Sequence, residues 1–204
     1  MTSLSSHESE EEAILVRCAK AGDDDAFDQL YRRHRLTLCA YITKMTHSYE
    51  DALQLTQEAF TTAWQNLQNL QTDASFKSWL YGIATHQTLD WLRRRRHFEW
   101  LSWEEHTRKL ELFDYLQSMR ETPLDEQVIA REIGRLALQR VTDSYRACLL
   151  LQIEADLPQA EIAQLLRISP KSVSVFVKRA LQQLQKAYEQ IENEIKSDIE
   201  KRSK

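Results

Sequence analysis

Four consecutive arginines, Arg93, Arg94, Arg95 and Arg96, close a segment that opens with aromatics: DASFKSWLYGIATHQTLDWLRRRR, residues 73–96. Guanidinium groups neutralise phosphates, and aromatic rings stack on bases. One helix offering both suits opened nucleic acid. Arg93 to Arg96 are candidate phosphate contacts, because adjacent arginines do not pack inward together; a solvated helix end favoured by the macrodipole is the plainer reading. Trp79, Leu80 and Ile83 have the spacing of core residues.

A second constellation lies at residues 159–184. Ala160, Ile162, Ala163, Leu165 and Leu166 give a short helix a packing face. After the turn Arg167–Ile168–Ser169, Val173, Val177, Ala180 and Leu184 recur at steps of four, three and four, one narrow helical stripe. With the stripe inward, Lys171, Val175, Lys178 and Gln182 face outward, flanked by Ser174 and Arg179. A helix-turn-helix of this kind can lay its second helix in the major groove. An ordinary helical hairpin with a solvated basic face has the same pattern.

Other chemistry is not indicated. There is no HExxH, no Cys-x-x-Cys, no glycine-rich phosphate loop and no nucleophile elbow. His86 and Asp90 stand one helical turn apart, but without a third ligand a surface hydrogen bond is the expected role. No metal, cofactor, catalytic residue or small-molecule substrate is expected.

The elements that must carry these residues read as all-α. The chain has only three glycines and three prolines, which favours helices with short connections. Residues 1–10 lack apolar periodicity and are expected to be disordered. A helix from Glu11 to Ala21 is stopped by Gly22, and Asp23 caps the next. Ser48 with Asp51 resembles a capping box. The helix it opens places Leu53, Phe60, Ala63, Trp64 and Leu67 inward. Ser102 with Glu105 repeats the pattern, and Trp103, His106, Leu110, Phe113 and Leu116 share a face. Thr122–Pro123 restarts the chain, Asp143 caps the next helix, and Leu157–Pro158 and Ser169–Pro170 open the last two. Residues 189–204 lose apolar periodicity and are expected to fray.

Charge is unevenly spread. The first hundred residues carry 11 basic and 14 acidic side chains, residues 101–130 carry 3 and 7, and residues 131–190 carry 9 and 6. A locally basic reader on an acidic chain needs a partner to hold it on DNA. Cys18, Cys39 and Cys148 are far apart among apolar residues and read as buried free thiols of a reducing cytoplasm. The polar, acidic start predicts no signal peptide, and no apolar run approaches the ~20 residues of a membrane span.

Two strings bring a family into view. The segment SYRACLLLQIEADLPQAEIAQLLRISPKSVSVFVKRALQQL resembles the −35-reading domain of bacterial sigma factors of the extracytoplasmic-function group. The segment EDALQLTQEAFTTAWQNLQNLQTDASFKSWLYGIATHQTLDWLRRRR, with its QEAF…AW and F-x-x-WLY-x-IA strings, resembles the other domain of that group. The resemblance spans about residues 11–100 and 123–188, with a partly helical linker at 101–122 and a tail at 189–204. It implies two small helical domains, the C-terminal one a helix-turn-helix. It also implies that Gln57 and Glu58, with Asp51 and Gln54, dock on the clamp helices of the largest subunit of core RNA polymerase. Ser75, Phe76 and His86, with Arg93 to Arg96, would melt the −10 element and hold a flipped base in a pocket formed by residues 69–75. Lys171, Ser172, Ser174, Val175, Lys178 and Arg179 would read the −35 element, Val175 reaching a thymine methyl.

The resulting expectation is a non-enzymatic cytoplasmic sigma factor, with core polymerase, promoter DNA and a possible anti-sigma factor as partners. Two other readings stay open. A stand-alone helix-turn-helix regulator would bind duplex DNA tightly as a dimer. A degenerate sigma-like interaction module would bind a partner without opening DNA.

Overall fold

The computed structural model describes residues 2–99 and 126–202. Among them, eight α-helices run in the order α1 (Thr2–Lys20), α2 (Asp24–Thr46), α3 (Tyr49–Asn66), α4 (Phe76–Glu99), α5 (Glu126–Gln139), α6 (Asp143–Ile153), α7 (Gln159–Leu166) and α8 (Pro170–Arg202). One-turn 3-10 helices at Leu67–Asn69 and Asp73–Ser75 connect α3 to α4. The expected linker features, from Ser102 through Trp103 and Leu116 to Thr122–Pro123, lie outside the described residues.

Local chemistry sets most helix ends. Gly22 takes φ +96°, a left-handed turn that separates α1 from α2. The Asp23 carboxylate accepts from the Ala26 amide at 3.1 Å, and the Ser48 hydroxyl accepts from the Asp51 amide at 3.2 Å. Asp51 does not return the bond to Ser48, so the box is half made; its carboxylate goes instead to Arg95. Asp143 is the first residue of α6 rather than its cap, a place taken by Thr142. The Ser169 hydroxyl accepts from the Ser172 amide at 3.1 Å ahead of Pro170.

Both chain ends differ from the expectation. Helix α1 begins at Thr2, so residues 2–10 are helical where disorder was expected; the glutamate-rich run is a good helix former and extends the helix backwards from its packed part. Helix α8 continues to Arg202 instead of fraying after 189. Ala187 and Ile191 are buried against Ile133 and Ala137 of α5, and Ile195 packs on the same cluster. These apolar residues stand four apart, a stripe too sparse to read without its partner helix.

The halves share one core. Leu30, Leu38, Tyr41, Ile42 and Met45 of α2 and Leu80, Tyr81 and Ala84 of α4 lie in the same buried cluster as Ala147, Cys148, Leu150 and Leu151 of α6, Ile162 and Ala163 of α7, and Val173 of α8. Burial pushes the Cys148 thiol up to about 12, which makes it inert. At the seam lies Arg146, 2% exposed. Its guanidinium donates to the carbonyls of Leu138, Gln139 and Val141 behind α5, to the Asp143 carboxylate, and across to the Met45 carbonyl of α2 at 2.8 Å. One cation thus serves the C-terminal ends of two helices, where carbonyls lack partners. Burial lowers the Arg146 pKa and the charge of Asp143 opposes that shift.

Candidate nucleic-acid interface

The arginine end of α4 is not four equal charges. Arg93 pairs with Asp90 of its own helix. Arg94 is exposed and has no acidic partner among the described residues. Arg95 is half-buried: its Nη1 lies 3.0 Å from Asp51 of α3, and its guanidinium stacks 4.9 Å over the Trp91 ring. Arg96 reaches Asp143 of α6. Arg93 and Arg94 are therefore the cations most available to a phosphate, whereas Arg95 and Arg96 also hold helices together.

Upstream on α4, His86 is exposed and fixed by its Nδ1, which lies 2.8 Å from the Gly82 carbonyl. A ring nitrogen facing that oxygen must donate, leaving Nε2 as the acceptor in the neutral ring. Phe76, expected at the DNA face, is fully buried. Its ring sits among Phe27, His34 and Trp79, so it supports the start of α4 from below rather than meeting DNA. Helical spacing at the first turn of a helix does not separate these two faces.

The loop before α4 is tied down from a distance. Lys20, the last residue of α1, donates to the Leu70 carbonyl and to the Asp73 carboxylate, each at 2.6 Å. Gln68 donates back to the Lys20 carbonyl at 2.7 Å. Ser75 is half-buried and donates to the Thr72 carbonyl at 2.6 Å. Sequence reasoning missed Lys20, which sits 53 positions from Asp73 with no local signal.

Helix α3 presents a polar face with an aromatic floor beside it. Gln54 donates to Glu58 at 2.8 Å, and Gln57 and Thr61 are exposed. Leu53 and Trp64, expected inward, are 43% and 40% exposed. The reason is that α3 buries one narrow stripe, Ala52, Leu55, Thr56, Ala59, Phe60 and Ala63, against α2 and α4. Trp64 lies 4.7 Å from Phe27, and Tyr31 lies 4.8 Å from Phe60. With Asp24, Asp28, Gln57 and Thr61 these rings line an open groove between α2 and α3.

The helix-turn-helix is formed by α7 and α8. Arg167 takes φ 55° at the turn, a left-handed position a glycine would fill without strain, and the Ile168 amide donates to the Ala163 carbonyl at 3.0 Å. Val173 and Ala180 are buried as expected, while Ala160 is exposed because α7 buries only Ile162 and Ala163 fully. Lys171, Ser174, Val175, Lys178 and Arg179 are exposed on α8, and Ser172 is half-buried with its hydroxyl 2.8 Å from that of Ser169. Ser174 donates to the Gln159 side chain at 2.9 Å. Arg179 donates to the Tyr145 hydroxyl at 2.9 Å and stacks on that ring. Phe176 packs on Tyr145 with centroids 4.9 Å apart, which leaves Val175 as the exposed apolar residue of the face. Among the described residues no group of three or more His, Cys, Asp or Glu could hold a metal ion.

Comparison with known proteins gives concordant matches. A family model for sigma-70 region 2 matches residues 30–98, and one for sigma-70 region 4 matches residues 131–184. The RNA polymerase sigma factor CnrH of Cupriavidus metallidurans is 30% identical, over 82% of this chain and 88% of its own. The ECF RNA polymerase sigma factor SigW of Bacillus subtilis is 28% identical, over 84% of this chain and 93% of its own. Among solved structures, CnrH in complex with the cytosolic domain of CnrY superposes with a TM-score of 0.54 at 24% identity, covering 86% of this chain and 95% of that one. The sigma factor RpoE of Bartonella quintana in complex with the anti-sigma factor NepR gives 0.58 at 16% identity, covering 80% and 96%. At these identities the structures speak for the fold.

Proposed function

Because the chain belongs to the sigma-70 family, as a sigma factor of the extracytoplasmic-function group that serves transcription initiation, we propose which of its surfaces meet the polymerase and which meet the promoter. The observation that carries the assignment is the placing of the cations. Arg93 and Arg94 are exposed at the end of α4, and Lys171 and Lys178 are exposed on the outer face of α8.

The polymerase-docking surface is the α3 face of Gln54, Gln57 and Glu58, continued into the aromatic groove of Phe27, Tyr31 and Trp64. Its expected occupant is the helical clamp of the polymerase largest subunit. Asp24 and Asp28 on the rim give the groove a negative edge that suits a basic helix. Asp51 acts here at second hand, holding Arg95 and so the end of α4.

The −10 reader is the pinned loop 69–75 with His86 behind it, and Arg93 and Arg94 on the strand backbone. Extruding a base costs a few kcal/mol, which a rigid pocket offsets by stacking and hydrogen bonds made without further ordering. The Lys20 anchor supplies that rigidity. His86, held through Nδ1, offers Nε2 to a base edge. Phe76 is support and not contact. The −35 reader is Lys171, Ser172, Ser174, Val175, Lys178 and Arg179, with Val175 toward a thymine methyl and the lysines toward phosphates.

This reading assigns no catalytic residue: contacts position, select and open DNA, and the polymerase does the chemistry. It places the protein in the cytoplasm; among the described residues no helix is long and apolar enough to cross a membrane. An anti-sigma factor is a further expected partner, since sigma factors of this fold were solved in complexes with CnrY and NepR. The test is reconstituted transcription, with bacterial core polymerase on fragmented genomic DNA. Start sites sharing paired upstream elements support the reading. Core binding without initiation would favour the interaction module, and absence of core binding would overturn the docking surface.

A further inference from the structure

The arginines of the two DNA-facing surfaces are held in two different ways. Arg93, Arg95 and Arg96 of α4 each meet a carboxylate, Asp90, Asp51 and Asp143 in turn, and part of their charge is balanced there. Arg179 of α8 is held by a neutral group. Its Nη1 donates to the Tyr145 hydroxyl at 2.9 Å, and its guanidinium carbon lies 5.7 Å from the centre of the same ring. A guanidinium has only donors, so the phenolic oxygen accepts. Tyr145 belongs to the first turn of α6, outside the helix-turn-helix and 34 positions away in sequence.

We propose that Tyr145 is a positioning residue for −35 reading: it fixes the Arg179 guanidinium at the rim of the recognition face with its charge intact. The inference rests on the sigma reading above. The stripe of Val173, Val177, Ala180 and Leu184 faces the interior of the C-terminal half. Val175 then points almost directly outward, and Arg179, one turn on, stands about 40° to its side, toward α6. Both are exposed. At that angle an arginine can reach a base edge or lie along the protein surface, and the tyrosine decides which.

The tyrosine ring is itself fixed. Phe176 packs on it with centroids 4.9 Å apart and planes at 60°. Phe176 and Arg179 stand three apart on α8, so both meet the one ring of α6. Swinging the hydroxyl away from Arg179 would take the ring off Phe176. The apolar residue at 176 thus supports the cation at 179. The other flank of α8 is braced by a neutral contact too, where Ser174 donates to Gln159 of α7 at 2.9 Å. A guanidinium spans guanine N7 and O6 only when its plane is set to theirs. A free arginine loses rotamer freedom on binding, and one already held loses less. Because its holder is neutral, Arg179 keeps its full attraction for DNA. Specificity as well as affinity then depend on a hydroxyl that need touch no base.

Tyr145→Phe removes the hydroxyl and keeps the ring on Phe176. With core polymerase and the promoter fragments recovered as above, each base pair of the −35 element is exchanged in turn for wild type, Tyr145→Phe, Arg179→Ala and the double variant. Tyr145→Phe is expected to weaken holoenzyme binding to the unaltered promoter about three- to tenfold. It is also expected to cut the penalty for exchange at one G·C pair, the same pair to which Arg179→Ala makes the protein indifferent. Preferences at −10 and the melting temperature should stay as in wild type. In the Arg179→Ala background the tyrosine change should cost less than about twofold, because a positioning group without its guanidinium is idle. A Tyr145→Phe profile equal to wild type, an equal cost in both backgrounds, or a loss spread evenly over −35 and −10 positions would each overturn the positioning role. If wild-type holoenzyme formed but ignored every −35 exchange, the −35 reading itself would fall, and this inference with it.

Discussion

Replacing Arg146 by methionine tests how the seam is held. The side chain is 2% exposed, so solvent screening does not discount its interactions. It donates at 2.8 Å to Met45 and to Asp143, and at 3.2 to 3.4 Å to the three carbonyls behind α5. The substitution fills similar volume, so little cavity energy enters. The Asp143 carboxylate retains Arg96, but the carbonyls of two helix ends lose their donor. Hydrogen bonds from a charged group contribute about 1.5–3 kcal/mol each, and the three long ones fall below that range. Removing one partner of a buried pair costs about 3–5 kcal/mol in all, which is the expected loss here. The assay is urea unfolding followed by far-ultraviolet circular dichroism. With a slope of about 2 kcal/mol per molar, the midpoint should fall by about 2 M, and Arg146→Lys should fall between the two. A loss below about 1 kcal/mol would refute the reasoning, because it would mean water serves those carbonyls as well as the guanidinium does.

Three further outcomes are expected. Arg94→Ala should lower the slope of log affinity against log salt by about one for holoenzyme on promoter DNA, at unchanged melting temperature, whereas Arg95→Ala should lower the melting temperature as well, because Arg95 holds Asp51; titration at several salt concentrations with parallel calorimetry separates them. Trp64→Ala should weaken core-polymerase binding by about 2 kcal/mol, roughly thirtyfold, with a melting shift of only a few degrees, read by fluorescence anisotropy. Burial, the largest single influence, would raise the Glu12 carboxyl, but the hydrogen bond and charge of His34, 2.7 Å away, together with the Lys77 backbone amide and Arg33, outweigh it and hold the group below its ordinary value. A lowered carboxylate stabilises fully above its unfolded value and loses that contribution as pH falls through the folded value. Acid unfolding curves of wild type should thus steepen below the ordinary carboxylate range, and Glu12→Gln should flatten that limb.

Several helix ends inside the chain were legible because their causes are local. Asp23, Ser48, Ser169 and Gly22 each act within three residues, and each acts as its type predicts. The Val173–Leu184 part of the α8 stripe was legible for the same reason, whereas its continuation through Ala187 and Ile191 depends on α5. What was not legible turns on which neighbours a helix has. Trp64 is as apolar as Phe60, yet only one side of α3 is covered. Phe76 stands at a helix start, where a ring can point to the loop or beneath it, and Phe27 and His34 from another helix settle the matter. The pairs Lys20–Asp73 and Arg96–Asp143 join residues about fifty positions apart, and the arginine run gives no hint of which member is already engaged.

The shared core also sets a schedule for synthesis. Tyr41 is buried beside Arg146 and Cys148 of α6, and Tyr81 beside Glu154, the residue that follows α6. None of that cover exists when α4 leaves the ribosome. At 5–20 residues per second, the residues between the end of α4 and the end of α7 take on the order of 3–13 s to make. For that interval the nascent chain shows an apolar face whose lid is still being translated. The rate of synthesis therefore sets how long the apolar core of the first half waits for the cover that completes it.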